Sequence, residues 1–206
     1  MYEVRYELKG WDLFFAKIEA SVLAATSLGE QRRSVSAEVR RVLRLETLAA
    51  HPAVSGMRRL FKEAGCDPSR YRPASEALLR RILKGEDIPE ILPIVDLNNC
   101  LSAALAVPCC VMAEGSFEPP FVLRTGREGE SYESLRGPFR LDEKPVLFDG
   151  IGPCDAPITG SERVKVVAET ELATLVAYLP QGVVSGTDAQ QMLDDLLSGH
   201  DFVRTG

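Results

Sequence analysis

The stretch FKEAGCDPSRYRPASEALLRRILKGEDIPEILPIVDLNNCLSAALAVP, residues 61–108, decides the fold because its patterning predicts two successive helices. The first begins after Pro73 and ends at Gly85, a residue suited to the left-handed conformation that closes helices. Its inward face holds four apolar residues, Ala77, Leu78, Ile82 and Leu83. The second starts near Pro93, since proline fits the first helical turn, and stops before Pro108.

Upstream of this stretch the hydrophobic period changes from two to that of a helix. Apolar and polar residues alternate over residues 16–22, which predicts a half-buried strand. From Ser34 onward a helical stripe is predicted, with Ser34 or Ser36 as N-cap. His51 and Pro52 predict the start of a further helix that ends at Gly65.

Downstream of Pro108 the chain consists of short apolar runs broken by Gly and Pro. Strands are predicted for residues 109–113, 121–125, 145–149, 164–168 and 174–179. A closing helix, capped by Thr187 or Asp188, is predicted to end at Gly199. No repeat or linker divides the chain, so residues 1–206 are expected to form one α+β domain.

Charge is unevenly distributed along the chain. Residues 31–84 carry thirteen basic and five acidic side chains, a local charge of +8, whereas residues 85–206 carry eight basic and twenty acidic ones, or −12. With −2 from residues 1–30, these values sum to the net −6. One basic segment is therefore able to face phosphate while the rest repels it. The alternative is that the Arg-rich helices simply have solvated faces.

Cysteine and histidine usage argues against metal, disulfide and triad chemistry. The five cysteines are odd in number and have no Cys-x-x-Cys spacing, which favours reduced thiols. The two histidines, His51 and His200, are far apart in sequence. We therefore expect neither a metal nor another cofactor. The absence of a long apolar run and of a signal-peptide pattern predicts a cytoplasmic protein without a membrane partner.

Several motifs together carry a resemblance to a known family. They are Tyr71-Arg72-Pro73 followed by Ser-Glu-Ala-Leu, and Pro93-x-Val95-Asp96-x-x-Asn99. FVLRTGREGESYESLRG at residues 121–137 and VLFDGIGPCDAPITGSE at residues 146–162 follow. This set, over residues 50–180 or so, resembles B3/4 (tRNA-binding) domains and is similar to the editing domain of the phenylalanyl-tRNA synthetase β subunit.

The resemblance implies a three-layer α/β sandwich of unusual topology, with a pocket between sheet and helices for the aminoacylated 3′ end of tRNA. It implies catalytic roles for Asp96, Asn99 and Glu162, and substrate contacts for Cys110, Arg124, Thr159 and Ser161. The candidate tRNA-phosphate contacts are basic residues in and before the first helix of the opening stretch, Arg70, Arg72, Arg80, Arg81 and Lys84. No cofactor is implied.

Structural alternatives stay open for most of these residues. Asp96 either binds a ligand or ties down a neighbouring loop, and Arg124 meets either a phosphate or a structural carboxylate. Ser161 and Thr159 have hydroxyls that also suit the closing of a turn. Cys110, with no histidine nearby in sequence, fits a small buried thiol better than a nucleophile.

The sequence departs from the family at two places, since Cys110 replaces a histidine and residues 156–160 replace paired glycines. The first hypothesis is a stand-alone factor that checks aminoacyl-tRNA, with hydrolysis of a mischarged ester as its possible reaction. The rival is a non-catalytic module that binds RNA or an amino-acid derivative. A third possibility is a structural or partner-binding domain. Nothing resembles an adenylating module, so a tRNA ligase is not expected.

Overall fold

The computed structural model describes residues 2–23 and 27–198, and the centre of the fold is strand β10 (Leu172–Pro180). This strand pairs antiparallel with β2 (Trp11–Glu19) on one side and with β3 (Cys109–Ala113) on the other. From Ala173 to Pro180 every residue of β10 is buried. Its nearly continuous apolar sequence is that of a strand covered on both faces.

A second sheet packs against one face of the first. Its order is β1 (Val4–Tyr6), β4 (Phe121–Thr125), β7 (Pro145–Phe148), β8 (Pro153–Ala156) and β9 (Thr159–Gly160). β1 and β4 are parallel, and the other neighbours are antiparallel. A separate hairpin consists of β5 (Ser131–Ser134) and β6 (Gly137–Arg140).

The helices lie mostly on the other face of the β2-β10-β3 sheet, although Met57, Leu60 and Phe61 of the helix Pro52–Glu63 pack into the core between the sheets. In chain order they are α1 (Ala20–Leu23), α2 (Gly29–Val42), α3 (Pro52–Glu63), α4 (Ala74–Leu83), α5 (Pro93–Leu105) and α6 (Gly186–Leu197). The order helices, three-stranded sheet, five-stranded sheet confirms the predicted three-layer α+β sandwich. No helix in the described ranges is long and apolar enough to cross a membrane.

Two large hydrophobic cores hold the layers together, and a third, smaller cluster packs the β5-β6 hairpin against the five-stranded sheet. Leu175, Ala177 and Leu179 of β10 face the helices, whereas Val176 and Tyr178 face the five-stranded sheet. Period-two alternation of a strand places these two sets on opposite faces. The core between the sheets is rich in aromatic rings, among them Trp11, Phe61, Phe121 and Tyr178.

The predicted helices of residues 52–65, 74–85 and 93–107 are confirmed. Gly85 adopts φ +102° after α4, and α5 ends at Ala106, a left-handed residue with φ +57° two positions before Pro108. The strands predicted at 109–113, 121–125, 145–149 and 174–179 are present within a residue or two. Local periodicity and proline positions therefore suffice for these elements.

Four local predictions need correction. Residues 164–168 form no strand, because a 3₁₀ turn (Glu162–Val164) capped by Ser161 starts that segment. α2 begins at Gly29 rather than Ser34, and the Ser36 hydroxyl instead accepts a bond from the amide of Ile88.

The first long strand begins at Trp11 and ends at Glu19, since α1 follows it. Ser185 caps α6 and forms a capping box with Asp188. The predicted end at Gly199 lies outside the described residues, as does His200.

Candidate functional site

A cavity of about 890 Å³ lies between the helix layer and the ends of both sheets. Its walls come from α4, α5, β3, the β8-β9 turn and the segment after the 3₁₀ turn. Apolar side chains such as Leu78, Val95, Val111 and Ile158 line much of it. The size and mixed lining are those of a small-molecule site.

Six of the twelve predicted site residues line this cavity. They are Asn99 on α5, Cys110 on β3, Thr159 on β9, Ser161 before the 3₁₀ turn, Arg72 before α4 and Arg81 on it. The other six, Asp96, Arg124, Glu162, Arg70, Arg80 and Lys84, are absent from its walls. The convergence expected from the sequence is thus partial.

Asp96 is buried on α5 and faces the helix layer instead. Its Oδ1 accepts a 2.9 Å hydrogen bond from the amide of Ile91, and its Oδ2 lies 3.4 Å from Nε of Arg32. Burial raises the pKa of this carboxyl, and the bond from Ile91 and the charge of Arg32 oppose that rise. These contacts fix the loop before α5.

Arg124 is occupied by a structural carboxylate. Its guanidinium makes a bidentate pair with Glu130, with bonds of 2.9 and 2.6 Å, and lies 3.5 Å above the ring centroid of Phe148. The hydrogen bonds from Arg124 lower the pKa of Glu130. The arginine therefore closes the 124–130 turn and does not reach the cavity.

Glu162 is exposed, and its carboxylate lies 2.7 Å from Nζ of Lys165, a residue that lines the cavity. Ser161 accepts a bond from the Arg163 amide and so caps the turn. The carbonyl of Thr159 accepts a hydrogen bond from the Tyr132 hydroxyl, and the Thr159 hydroxyl makes no hydrogen bond to any described residue. Of this loop, Thr159 has the side chain most available to a ligand.

The basic segment around α4 is partly neutralised from within. Glu76 is fully buried and pairs with three arginines, Arg58 at 2.9 Å, Arg80 at 2.9 Å and Arg72 at 3.5 Å. Arg70 lies over the ring of Tyr71. Arg81, in contrast, has no ion pair with any described residue and stands at the cavity wall.

Arg136, in the turn between β5 and β6, joins Arg81 at the cavity wall. It is exposed and its guanidinium has no ion-pair partner within the described ranges. With Arg72 and Lys165, four cationic side chains line the cavity. Because two of them are unpaired, an anion at the mouth would be favoured.

The cavity floor carries a single buried acid, Asp155 on β8. The residue is 1% exposed and is the only carboxyl among the described residues that line the cavity. Its Oδ2 accepts a 2.6 Å bond from the hydroxyl of Tyr178 on β10. Burial raises the pKa of Asp155 to about 7, although the bonds from Tyr178 and the Cys110 thiol act in the opposite direction.

Two polar side chains of α5 lie beside this floor. Asn98, 7% exposed, donates weakly to the carbonyl of Cys109 at 3.5 Å, but its Oδ1 is buried without a hydrogen-bond partner. Ser102 donates a 2.8 Å bond to the carbonyl of Val107. A buried, unpaired amide oxygen is costly, which is a physical reason to expect a ligand there.

Comparison with known proteins settles the family. The family model described as B3/4 domain matches residues 56–198, which is well over half of the chain. The chain belongs to the B3/4 domain family. The match runs from α3 to the end of α6 and includes every cavity element named above, whereas β1, β2, α1 and α2 lie outside it.

One solved structure similar to this B3/4 domain is an N-terminal fragment of the phenylalanyl-tRNA synthetase β-subunit from Pyrococcus horikoshii. The two chains are 14% identical, with a TM-score of 0.44. The similarity covers 53% of this chain and 41% of that one. None of the curated proteins matches the chain.

The B3/4 domain's thiols are poorly suited to nucleophilic attack. Burial raises the pKa of Cys109 and of Cys110, and the nearby charge of Asp155 adds to the effect. A raised pKa leaves almost no thiolate at neutral pH. Within the described ranges no group of three or more His, Cys, Asp and Glu side chains is placed to hold a metal ion.

Sequence reasoning missed Asp155, Asn98, Ser102 and Arg136. Asp155 follows a Gly-rich segment and looks like a loop residue, and Arg136 sits in an ordinary turn. Asn98 and Ser102 are spaced four apart on the helix that also holds Asn99, so the helical face was the available signal. Their importance depends on which way α5 faces, which the tertiary contacts decide.

Proposed function

We propose that this B3/4 domain binds the aminoacylated 3′ end of a tRNA and hydrolyses the ester when the amino acid is wrong. The observation that carries the proposal is the charge arrangement of the cavity: unpaired Arg81 and Arg136 at its wall and one buried acid, Asp155, at its floor. Phosphate would lie against the cations, and the aminoacyl group would enter toward the acid.

The cavity dimensions support such a ligand. About 890 Å³ exceeds what an amino acid alone fills and lies within the roughly 300–1,000 Å³ range of ligand pockets. The walls between mouth and floor are mainly apolar, which suits a ribose, a base or a side chain. Membership of the B3/4 domain family also supports a tRNA-related ligand.

The reaction needs little specialised chemistry. The oxygen of a water attacks the ester carbonyl carbon and the bond from that carbon to the ribose oxygen breaks. The proton that the water loses passes to the ribose oxygen, so the products are the free amino acid and the ribose hydroxyl. Positioning contributes most to such a reaction. The side chain of Asn99 makes no hydrogen bond to any described residue and lines the cavity, so its amide group is free to orient the water or polarise the carbonyl.

The second candidate is a module that binds an amino-acid derivative or RNA without hydrolysing it. A specific observation favours it: two residues expected to be catalytic, Asp96 and Glu162, lie outside the cavity walls. Because burial raises the pKa of Cys109 and Cys110, neither described thiol on the cavity wall is an activated nucleophile.

A panel experiment separates the two. Wild type, Asn99→Ala and the control Arg140→Ala, an exposed cation outside the cavity walls, are incubated with a set of mischarged tRNAs and with free amino acids. Release of the amino acid by wild type and by the control, but not by Asn99→Ala, supports hydrolysis. Saturable binding without release supports the module. Neither release nor binding contradicts both.

A further inference from the structure

Two polar side chains of α5 present hydrogen-bond acceptors to the cavity. Asn98 presents the unpartnered Oδ1, and the hydroxyl hydrogen of Ser102 is committed to the carbonyl of Val107, which leaves its oxygen as an acceptor. These two residues are one helical turn apart on α5 and lie on one face. Both line the cavity.

Asp155 adds the third acceptor from the opposite side. A carboxylate offers about four lone-pair positions. The Asp155 carboxylate already accepts hydrogen bonds from three donors, the Tyr178 hydroxyl, the Cys110 thiol and the backbone amide of Ala156. About one position therefore remains, and it belongs to the only acid on the cavity wall of the described chain.

β3 joins the two sides. The carbonyl of Cys109 takes the weak bond from Asn98, and the charge of Asp155 acts on the thiols of both Cys109 and Cys110. The acceptors of α5 and the acid of β8 thus approach the same two-residue segment. Asn98 and Ser102 lie on the helix side of β3 and Asp155 on the side of the five-stranded sheet, and all three line the same cavity.

An ammonium group is the complement of this arrangement. It has three donors and no acceptor, and its charge balances a buried carboxylate. A hydroxyl has a single donor and no charge, and a carboxylate or phosphate would be repelled.

We propose that Asp155, Asn98 and Ser102 form a subsite for the primary ammonium group of the bound ligand. This assignment rests on the proposed function and deepens it, because the aminoacyl ester of a tRNA carries a free α-ammonium group whereas an N-blocked ester does not. The domain would then act on aminoacyl groups and leave N-acylated ones.

The subsite has a pH signature. The titratable groups facing Asp155 are thiols and phenols from β3, β5, β8 and β10, namely Cys109, Cys110, Tyr132, Cys154 and Tyr178. Their pKa values are all raised, so they stay neutral below pH 8. The pKa of Asp155 is raised to about 7, so its negative charge develops as the pH rises through that value.

The test uses non-hydrolysable probes and calorimetric or fluorescence titration. The three probes are 3′-(L-alanylamido)-3′-deoxyadenosine, its N-acetyl derivative and the lactyl derivative in which hydroxyl replaces the amine; L-phenylalanyl versions repeat the set. Asp155→Asn removes the charge but keeps an acceptor for Tyr178. Asn98→Leu removes the unpaired Oδ1 and keeps a side chain of similar volume. The control is Glu169→Gln, because Glu169 is exposed and absent from the cavity walls.

We expect the amine probes to bind roughly 10- to 100-fold more tightly than either derivative, the range for a charge-assisted hydrogen bond. Asp155→Asn and Asn98→Leu should abolish that preference while Glu169→Gln keeps it. Tightening of the amine probe between pH 5.5 and 7.5, with no change for the N-acetyl probe, supports the subsite. If Asn98→Leu loses the preference for the amine probe while its Tm is unchanged, a merely structural role of Asn98 is excluded.

Equal affinity for amine, N-acetyl and lactyl probes overturns the subsite, as does wild type that binds no amine probe. A preference that survives in both cavity variants also overturns it. If the amine preference holds but no tRNA is bound or deacylated, the proposed function fails and the subsite stands. If tRNA is deacylated without regard to N-acetylation, the subsite fails and the proposed function stands.

Discussion

The hydroxyl of Tyr178 donates a 2.6 Å hydrogen bond to Oδ2 of Asp155, and both residues are almost completely buried. Tyr178 belongs to the central strand β10 and Asp155 to β8 of the other sheet, so this bond crosses between the two sheets. A carboxylate in such a place is costly unless it is protonated or bonded. The charge state of Asp155 therefore couples the stability of the sandwich to the state of the cavity floor.

We expect Asp155 to make the protein less stable as the pH rises. The folded-state pKa, about 7, is above the ordinary value of 3.8, so between these values the folded protein holds a proton that the unfolded chain has lost. The stabilisation is complete below pH 3.8 and is lost as the pH rises through 7. The full shift corresponds to about 4 kcal/mol of stability.

Urea unfolding at pH 5 and pH 8 measures this. Asp155→Asn, which resembles the neutral acid, should remove most of the decrease in unfolding free energy between the two pH values. His51, whose pKa burial lowers, titrates equally in both proteins and cancels in the comparison. Identical pH slopes in wild type and variant would show that Asp155 is already ionised at pH 5.

The unpaired arginines should dominate the electrostatics of tRNA binding. We expect Arg81→Glu and Arg136→Glu each to weaken binding and to reduce the slope of log K against log salt by about 1. Arg80→Glu is the matched comparison, because Arg80 is on the same helix but is paired with Glu76 at 2.9 Å and is absent from the cavity walls. Filter binding between 50 and 200 mM salt provides the measurement, at salt concentrations where the effect is large.

The earlier expectation that residues 70–84 alone carry phosphate is tested by the same set. A larger loss for Arg80→Glu or Lys84→Glu than for Arg81→Glu and Arg136→Glu would move the tRNA contact from the cavity mouth to the outer face of α4.

Asn99 and Asp96, three residues apart on α5, should respond differently to substitution. Asn99→Ala removes a side chain without partners in the described chain, so we expect activity or binding to fall tenfold or more, an order-of-magnitude estimate for one lost polar contact. Its Tm should stay within about 2 °C. Asp96→Ala leaves the Ile91 amide without its acceptor and removes one of the two carboxylates beside Arg32, which should cost about 1–3 kcal/mol of stability.

Thermal unfolding and deacylation assays on the same preparations separate these effects. The assignment would be reversed by an Asn99 variant that unfolds easily and an Asp96 variant that is stable and inactive.

Glu162→Gln should have little effect on either stability or activity. The carboxylate is exposed and pairs with Lys165, and surface pairs contribute about 0–1 kcal/mol. Activity should therefore remain within about fivefold of wild type. The assay is single-turnover deacylation, with Glu169→Gln as control; a hundredfold loss would restore Glu162 as a catalytic residue.

The sequence by itself determined much of the helical part of the fold. α3, α4 and α5 are predicted because proline, glycine and helical periodicity act within a few residues of one another. The central strand β10 is predicted because a strand covered on both faces is apolar throughout. The strand predicted at residues 164–168 is wrong because apolar residues form a strand only where a neighbouring strand is available for pairing.

Only the tertiary structure decided which polar residues meet. Asn98, Asn99 and Asp96 occupy one helix, but the packing of α5 turns Asp96 toward Arg32 and the two asparagines toward the cavity. Asp155 acquires its raised pKa from burial among groups that include Cys110, forty-five residues earlier, and Tyr178, twenty-three residues later. Burial and hydrogen bonding depend on distance in space, and residue order along the chain does not specify that distance.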